Sequence, residues 1–195
     1  MKLTLLRHGI TEGNRSQLCY GSTDLPLLEE GIAALKAAVQ TMDYPTAVHY
    51  YTSGMCRTEQ TFALLYGDTP HEVLSGLREL DFGRFEMIPF ADLKDDPDYR
   101  RWADDSTGQE VCPGGESFGQ VYARAIADLT PVLERGEDAV CVMHGGAIAT
   151  LMGIWFPGQG GFFDFMPQPG FGWQITFEDG KPVEKIRMPL AKEDI

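Results

Sequence analysis

Two short apolar runs, far apart in the chain, each stop at a histidine followed by glycine. The first, residues 1–6, sets Leu3, Leu5 and Leu6 around Thr4 and breaks at Arg7-His8-Gly9. The second, residues 138–143, breaks at His144-Gly145-Gly146. Runs this short and this apolar read as buried strands, and buried strands belong to parallel sheets covered on both faces. Such sheets place their ligand sites beyond the carboxyl ends of the strands. Two strands that each hand a histidine and a glycine to one edge imply one shared site.

The rest of the pattern supports that sheet. Further strand candidates are residues 47–51, 72–74 and 173–177. Between them, residues 28–42 carry Ile32, Leu35, Val39 and Met42 at helical spacing, and residues 55–66 carry Met55, Thr58, Phe62 and Leu65, with Ser53 as the expected N-cap. Residues 116–134 repeat the helical pattern, with Pro131 expected to bend it or start it afresh. Residues 147–155 are apolar almost all round and read as a buried helix. Strand–helix alternation predicts an α/β fold of three layers, α/β/α, around a mostly parallel central sheet. At 195 residues the chain fits one domain.

One segment breaks the alternation. Residues 87–115 hold Asp92, Asp95, Asp96, Asp98, Asp104, Asp105 and Glu110 against Lys94, Arg100 and Arg101, with Pro97 and Pro113 and little periodicity. An insert of that length is a solvated excursion or a lid over a site. Its acids predict repulsion of polyanionic substrates. The net charge of −13 argues against nucleic acid or an anionic membrane as partner. No run approaches a membrane span, no signal-peptide pattern opens the chain, and four scattered cysteines lack a CxxC pair. A cytoplasmic protein with reduced thiols is expected. The aromatic and glycine-rich residues 155–173 suit either a site rim or an interface between two copies, which leaves a homodimer open.

The polar residues that look out of place share the carboxyl edge. Arg7, His8 and Asn14 follow the first strand, Ser53 and Arg57 the second, Arg78 and Glu79 the third, and His144 the fourth. Arginine forks match phosphate oxygens and keep their charge. Glycines beside both histidines let backbone N–H groups approach the same anion, aided by a helix N-terminus. A neutral imidazole can attack phosphorus, and flanking arginines keep it unprotonated. A leaving alkoxide needs a proton; Glu79 is the candidate donor, with Glu86 as second choice, and its acidity must be lowered by burial or by the phosphate.

The motifs in order resemble those of the histidine phosphatase superfamily, the phosphoglycerate mutase-like fold. They are residues 6–14 (LRHGITEGN), 20–27 (YGSTDLPL) with Gly31, 53–61 (SGMCRTEQT), 77–83 (LRELDFG), 114–117 (GGES) and 143–146 (MHGG). The resemblance implies His8 as the phosphorylated nucleophile, Glu79 as acid and base, and Arg7, Arg57, His144, Asn14, Gly21 and Gly145 around the phosphate. It implies a phosphomonoesterase acting on a small phosphorylated metabolite, most similar to the small α-ribazole phosphatase-type members, since the insert is short and acidic for a mutase. A phosphoglycerate mutase, or a phosphate-binding module without turnover, is the alternative. The chain departs from the family pattern at Met87, where glycine usually follows Phe82-Gly83-Arg84-Phe85-Glu86.

Simpler readings remain for several residues. His8 alone would suit a strand-end histidine bonded to backbone. His8 and Glu12 are four apart, but Gly9 and Gly13 are poor helix residues and no third ligand is near, so neither metal nor cofactor is expected. His49 and His71 read as surface or packing residues. Arg84, Arg100 and Arg101 are candidates to touch the rest of the substrate, and Cys56, beside Arg57, reads as a buried, inert thiol.

Overall fold

Six strands form the central sheet of the computed structural model, which describes residues 1–192. They are β1 (Lys2–Arg7), β2 (His49–Thr52), β3 (Glu72–Val73), β4 (Ala139–Met143), β5 (Gly172–Glu178) and β6 (Lys181–Met188), in the spatial order β3-β2-β4-β1-β5-β6. Strands β3, β2, β4 and β1 pair in parallel; β5 alone runs against the others. The main helices are α1 (Glu29–Thr41), α2 (Cys56–Tyr66), α3 (Pro97–Ala103), α4 (Phe118–Arg135) and α5 (Gly145–Trp155). Side chains that alternate along β1 and β4 sort the layers. Leu3, Leu5, Cys141 and Met143 join Leu129 of α4 and Ile148 of α5 in one core, while Leu6, Val140 and Val142 meet Phe62 of α2 on the other face. Covered on both sides, β4 is buried at every residue.

The register of β1 against β4 decides where the polar strand ends meet. Arg7 lies opposite Met143, so the next residue on each strand, His8 and His144, leaves the sheet at the same level.

Several local expectations change. Ser53 is not the cap of α2: Met55 takes that position, because the Ser53 hydroxyl is engaged with His144. Pro131 neither breaks nor restarts α4, which runs on to a left-handed Gly136. Val121, Ala125, Leu129 and Val132 pin one face of that helix to the core, and a capping box between Ser117 and Gln120 secures its start. Strand β6 was not expected from the sequence pattern, because most of its side chains face solvent at the sheet edge and mask its periodicity.

The 87–115 segment is tied down at both ends. Residues Ile88–Pro89 pair with Leu18–Cys19, and Leu93 and Trp102 are buried in the main core. Its acids are largely spent within it. Arg84 pairs with Asp96 and Asp98, Arg100 with Asp95, and Arg101 with Asp98 and Glu110. The Asp105 carboxylate accepts from the backbone of Thr107, Gln109 and Glu110, which holds it at about 2. The three arginines therefore face the insert's own acids instead of a substrate, and the anticipated repulsion of polyanions is mostly neutralised at its source.

Met87 enters this segment with φ +62, the left-handed region in which a side chain is strained, at the position where the family pattern has glycine. Its N–H is nonetheless needed, donating to Cys19 O at 2.7 Å. Relief of the strain exceeds glycine's added chain entropy, so Met87→Gly is expected to stabilise the fold by about 0.5–1 kcal/mol in urea unfolding. Met87→Val is expected to destabilise it; the opposite order would refute strain at this residue.

Candidate active site

Each residue of the site is set by a strand end and the helix after it. The His8 N–H donates to Met143 O at 3.0 Å, which ties the two strand ends together. The Gly9 N–H donates to Thr61 on α2, and a Cβ on Gly9 would lie 2.7 Å from Leu35 of α1. After β4, His144 caps α5, whose first two residues are glycines. Side chains there would collide with functional groups: Gly145 packs on the Arg7 guanidinium and Gly146 on the Glu79 carboxylate.

Both imidazoles are buried, at 2 % and 0 % exposure, with ring centres 5.2 Å apart. Their tautomers follow from their partners. His8 Nδ1 lies 2.7 Å from Gly9 O, an atom that only accepts, so Nδ1 carries the proton and Nε2 the lone pair. Arg57 Nε, which only donates, lies 3.2 Å from His144 Nδ1, so the proton of His144 sits on Nε2 and is donated to Ser53 Oγ at 2.7 Å. The chain continues from Ser53 to Thr58 Oγ1 and from there to Met55 O. Burial, followed by the nearby arginines, pushes both histidines well below their ordinary value.

Arg57 is completely buried, in the first turn of α2. Nη2 donates to Gly21 O at 2.8 Å and Nη1 to Thr23 O at 3.0 Å, and the cation lies 5.1 Å from the centre of the Tyr20 ring. Arg7 donates from Nη1 to Pro167 O, while its buried Nε has no acceptor among the described residues. A buried donor without a partner is costly, and an anion in the site would supply one.

Glu79 reaches the site from the turn after β3. Its Oε2 accepts from Gly146 N–H and its Oε1 from Ala147 N–H, both at 2.9 Å, so the carboxylate sits on the N-terminus of α5. The loop that carries it hangs from Arg124 of α4, a residue not anticipated from the sequence. Arg124 donates to the carbonyls of Gly76, Arg78 and Glu79 and makes a two-point pair with Glu116. Arg78 is exposed, and only its carbonyl takes part.

Other candidates take supporting places. Gly21 gives its N–H to Glu86 and its carbonyl to Arg57, and a Cβ there would fall 1.6 Å from Leu80 O. Glu86 gathers the N–H groups of Gly21, Ser22, Thr23 and Phe82, which makes it the clip of that loop. Asn14 Oδ1 accepts from Thr11 N–H, which leaves its amide NH2 for the cleft wall it lines. His49 pairs with Glu137, and His71 pairs with Glu59 while packing on Phe62. Cys56 is half-buried, not buried.

Arg7, Asn14, Glu79 and Gly146 open onto a cleft of about 1380 Å³. Its other walls come from the 87–115 segment and from the residues after α5.

The family model of the histidine phosphatase superfamily (branch 1) matches residues 3–184. The chain belongs to that superfamily. It is 31% identical over 160 residues to the adenosylcobalamin/alpha-ribazole phosphatase of Salmonella typhimurium, covering 78% of each. It is 26% identical over 165 residues to a 2,3-bisphosphoglycerate-dependent phosphoglycerate mutase of Xanthobacter autotrophicus, covering 77% of this chain and 78% of that one. The solved alpha-ribazole phosphatase of Shigella flexneri superposes with a TM-score of 0.78 at 25% identity, over 94% of both chains.

The neutral histidines give a testable pH dependence. The unfolded chain takes up protons at both near pH 6.5 while the folded chain does not, so stability falls as pH falls below that value. Between pH 7 and 5.5 the pair contributes a loss of roughly 2.5 kcal/mol in urea unfolding. His144→Gln is expected to halve that contribution; an unchanged slope would show that His144 is protonated in the fold.

Proposed function

We propose that the chain hydrolyses phosphate monoesters through a phosphohistidine at His8, without a metal. One observation carries the reading: the Gly9 carbonyl holds the proton of His8 on Nδ1, which leaves Nε2 as a buried, neutral nucleophile beside two arginines.

The steps balance with this chain's own groups. His8 Nε2 attacks phosphorus, the ester P–O bond breaks, and the Glu79 carboxyl gives its proton to the departing alkoxide. Like-charge repulsion from an arriving phosphate dianion favours a proton on Glu79 at that point. Arg7, Arg57, the Gly145 N–H and Asn14 balance the charge on the equatorial oxygens, with His144 alongside. Gly21 acts through Arg57, whose Nη2 it holds. Water, deprotonated by Glu79, then attacks phosphorus; the N–P bond breaks, and phosphate leaves with His8 neutral again.

The cleft favours a phosphatase over a phosphoglycerate mutase. Phosphoglycerate carries a carboxylate besides its phosphate. Among the described residues the cleft walls offer two cations, Arg7 and Arg15, and Arg15 is paired with Glu12 at the surface. A second anion thus finds no free partner. The finer reading is a small monoester of the kind for which the Salmonella and Shigella proteins are named. A binding module without turnover would have no need of the nucleophile and the carboxylate together.

With p-nitrophenyl phosphate and a chelator at about pH 5 to 8, the protein is expected to release phosphate, and His8→Ala to lose at least about 10³-fold in kcat/KM. Little isomerisation of 3-phosphoglycerate is expected. Full activity in His8→Ala, or none in the wild type, would overturn the proposal.

A further inference from the structure

Beyond the phosphate, the walls of the cleft are aromatic. Phe90, Tyr99 and Trp102 of the 87–115 segment face it, with Phe118 at the start of α4 and Phe162 and Phe163 after α5. These rings are interlocked. Trp102 stacks on Phe118 at 5.1 Å and meets Tyr99 at 5.8 Å, and Phe118 meets Phe162 edge-on at 5.2 Å. Two rings at the cleft stay in water, Phe163 at 84% exposure and Phe90 at 44%. The Trp102 indole N–H is buried without an acceptor among the described residues, whereas Trp173 donates to Phe165 O. Exposed rings and an unmet donor along one cleft are costs that an occupant removes.

The same cleft holds Arg7 and Glu79, so whatever fills it is attached to the phosphate. Resting on the phosphatase reading above, we infer that the leaving alcohol carries a flat aromatic ring system, recognised by stacking against the rings of the insert and of the segment after α5. A sugar or a short acid would bury little of this surface and would leave the rings wet. A long alkyl chain would fill the space without the face-and-edge contacts that ring pairs add. An acceptor atom on the ring system would satisfy Trp102. The insert then acts as the specificity element for the reaction, and Phe90 and Phe163 close over the outer edge of the ring.

Esters of primary alcohols separate these occupants, because their leaving groups differ little in acidity. We compare kcat/KM for 2-(2-naphthyl)ethyl, decyl and propyl phosphates. The naphthyl ester is expected to exceed propyl by about 100-fold and decyl by about tenfold. In the double variant Phe90→Ala/Phe163→Ala, the naphthyl-to-propyl ratio is expected to fall about tenfold. Equal rates for naphthyl and propyl, or a preference for decyl, would overturn the aromatic occupant and leave the phosphatase reading intact. Calorimetric binding of 2-(2-naphthyl)ethanol needs no turnover. If no ester is hydrolysed, the phosphatase reading fails, while binding of the alcohol, weakened about tenfold by the double variant, still supports the cleft; absent binding overturns it.

Discussion

The parallel register of β1 and β4 is the constraint on which the site depends. With Arg7 opposite Met143, and the His8 N–H on Met143 O, the two histidines cannot shift independently. A slip of one residue would turn every side chain of β4 to the other face of the sheet. Each element around the pair then has a fixed task. The turn of Gly145 and Gly146 admits Arg7 and Glu79, α2 brings Arg57 under the rings, and Arg124 suspends the Glu79 loop from α4.

Electrostatics explains why such an assembly is held so tightly. Burying a guanidinium is costly unless its donors are met, and Arg57 meets three of them with His144, Gly21 and Thr23. The arginines in turn hold both imidazoles neutral, which keeps the His8 lone pair available. Arg7 is the exception, with Nε buried and unmet. Glu79 meanwhile occupies the N-terminus of α5, the natural seat for an anion. The site is thus prepared for a dianion that answers Arg7 and competes with Glu79 for the same region.

Much of this was legible in the residues themselves. His8, Glu79 and His144 declared themselves because each is a polar group stranded at the end of a buried run, and the glycines marked places where a side chain would collide. The order of motifs extended that reading to the family. Other parts carried no local signal. Ser53 looked like a helix cap, because the reason for its hydroxyl, His144, lies 91 positions away. Arg124 sat among the polar residues of an amphipathic helix, and nothing nearby showed that it binds three carbonyls of another loop. The 87–115 segment misled through its charges, whose pairing is tertiary. Its aromatic residues, dispersed among acids, disclosed their common wall only when folded.

The central claim is the covalent role of His8. Rapid acid-free quenching of the protein with ³²P-labelled phenyl phosphate, followed by peptide mapping, tests it directly. The account predicts a label stable to base and labile to acid, carried by the peptide containing His8 and absent from His8→Ala. Label on another residue, or turnover with no label at any time point, would contradict it.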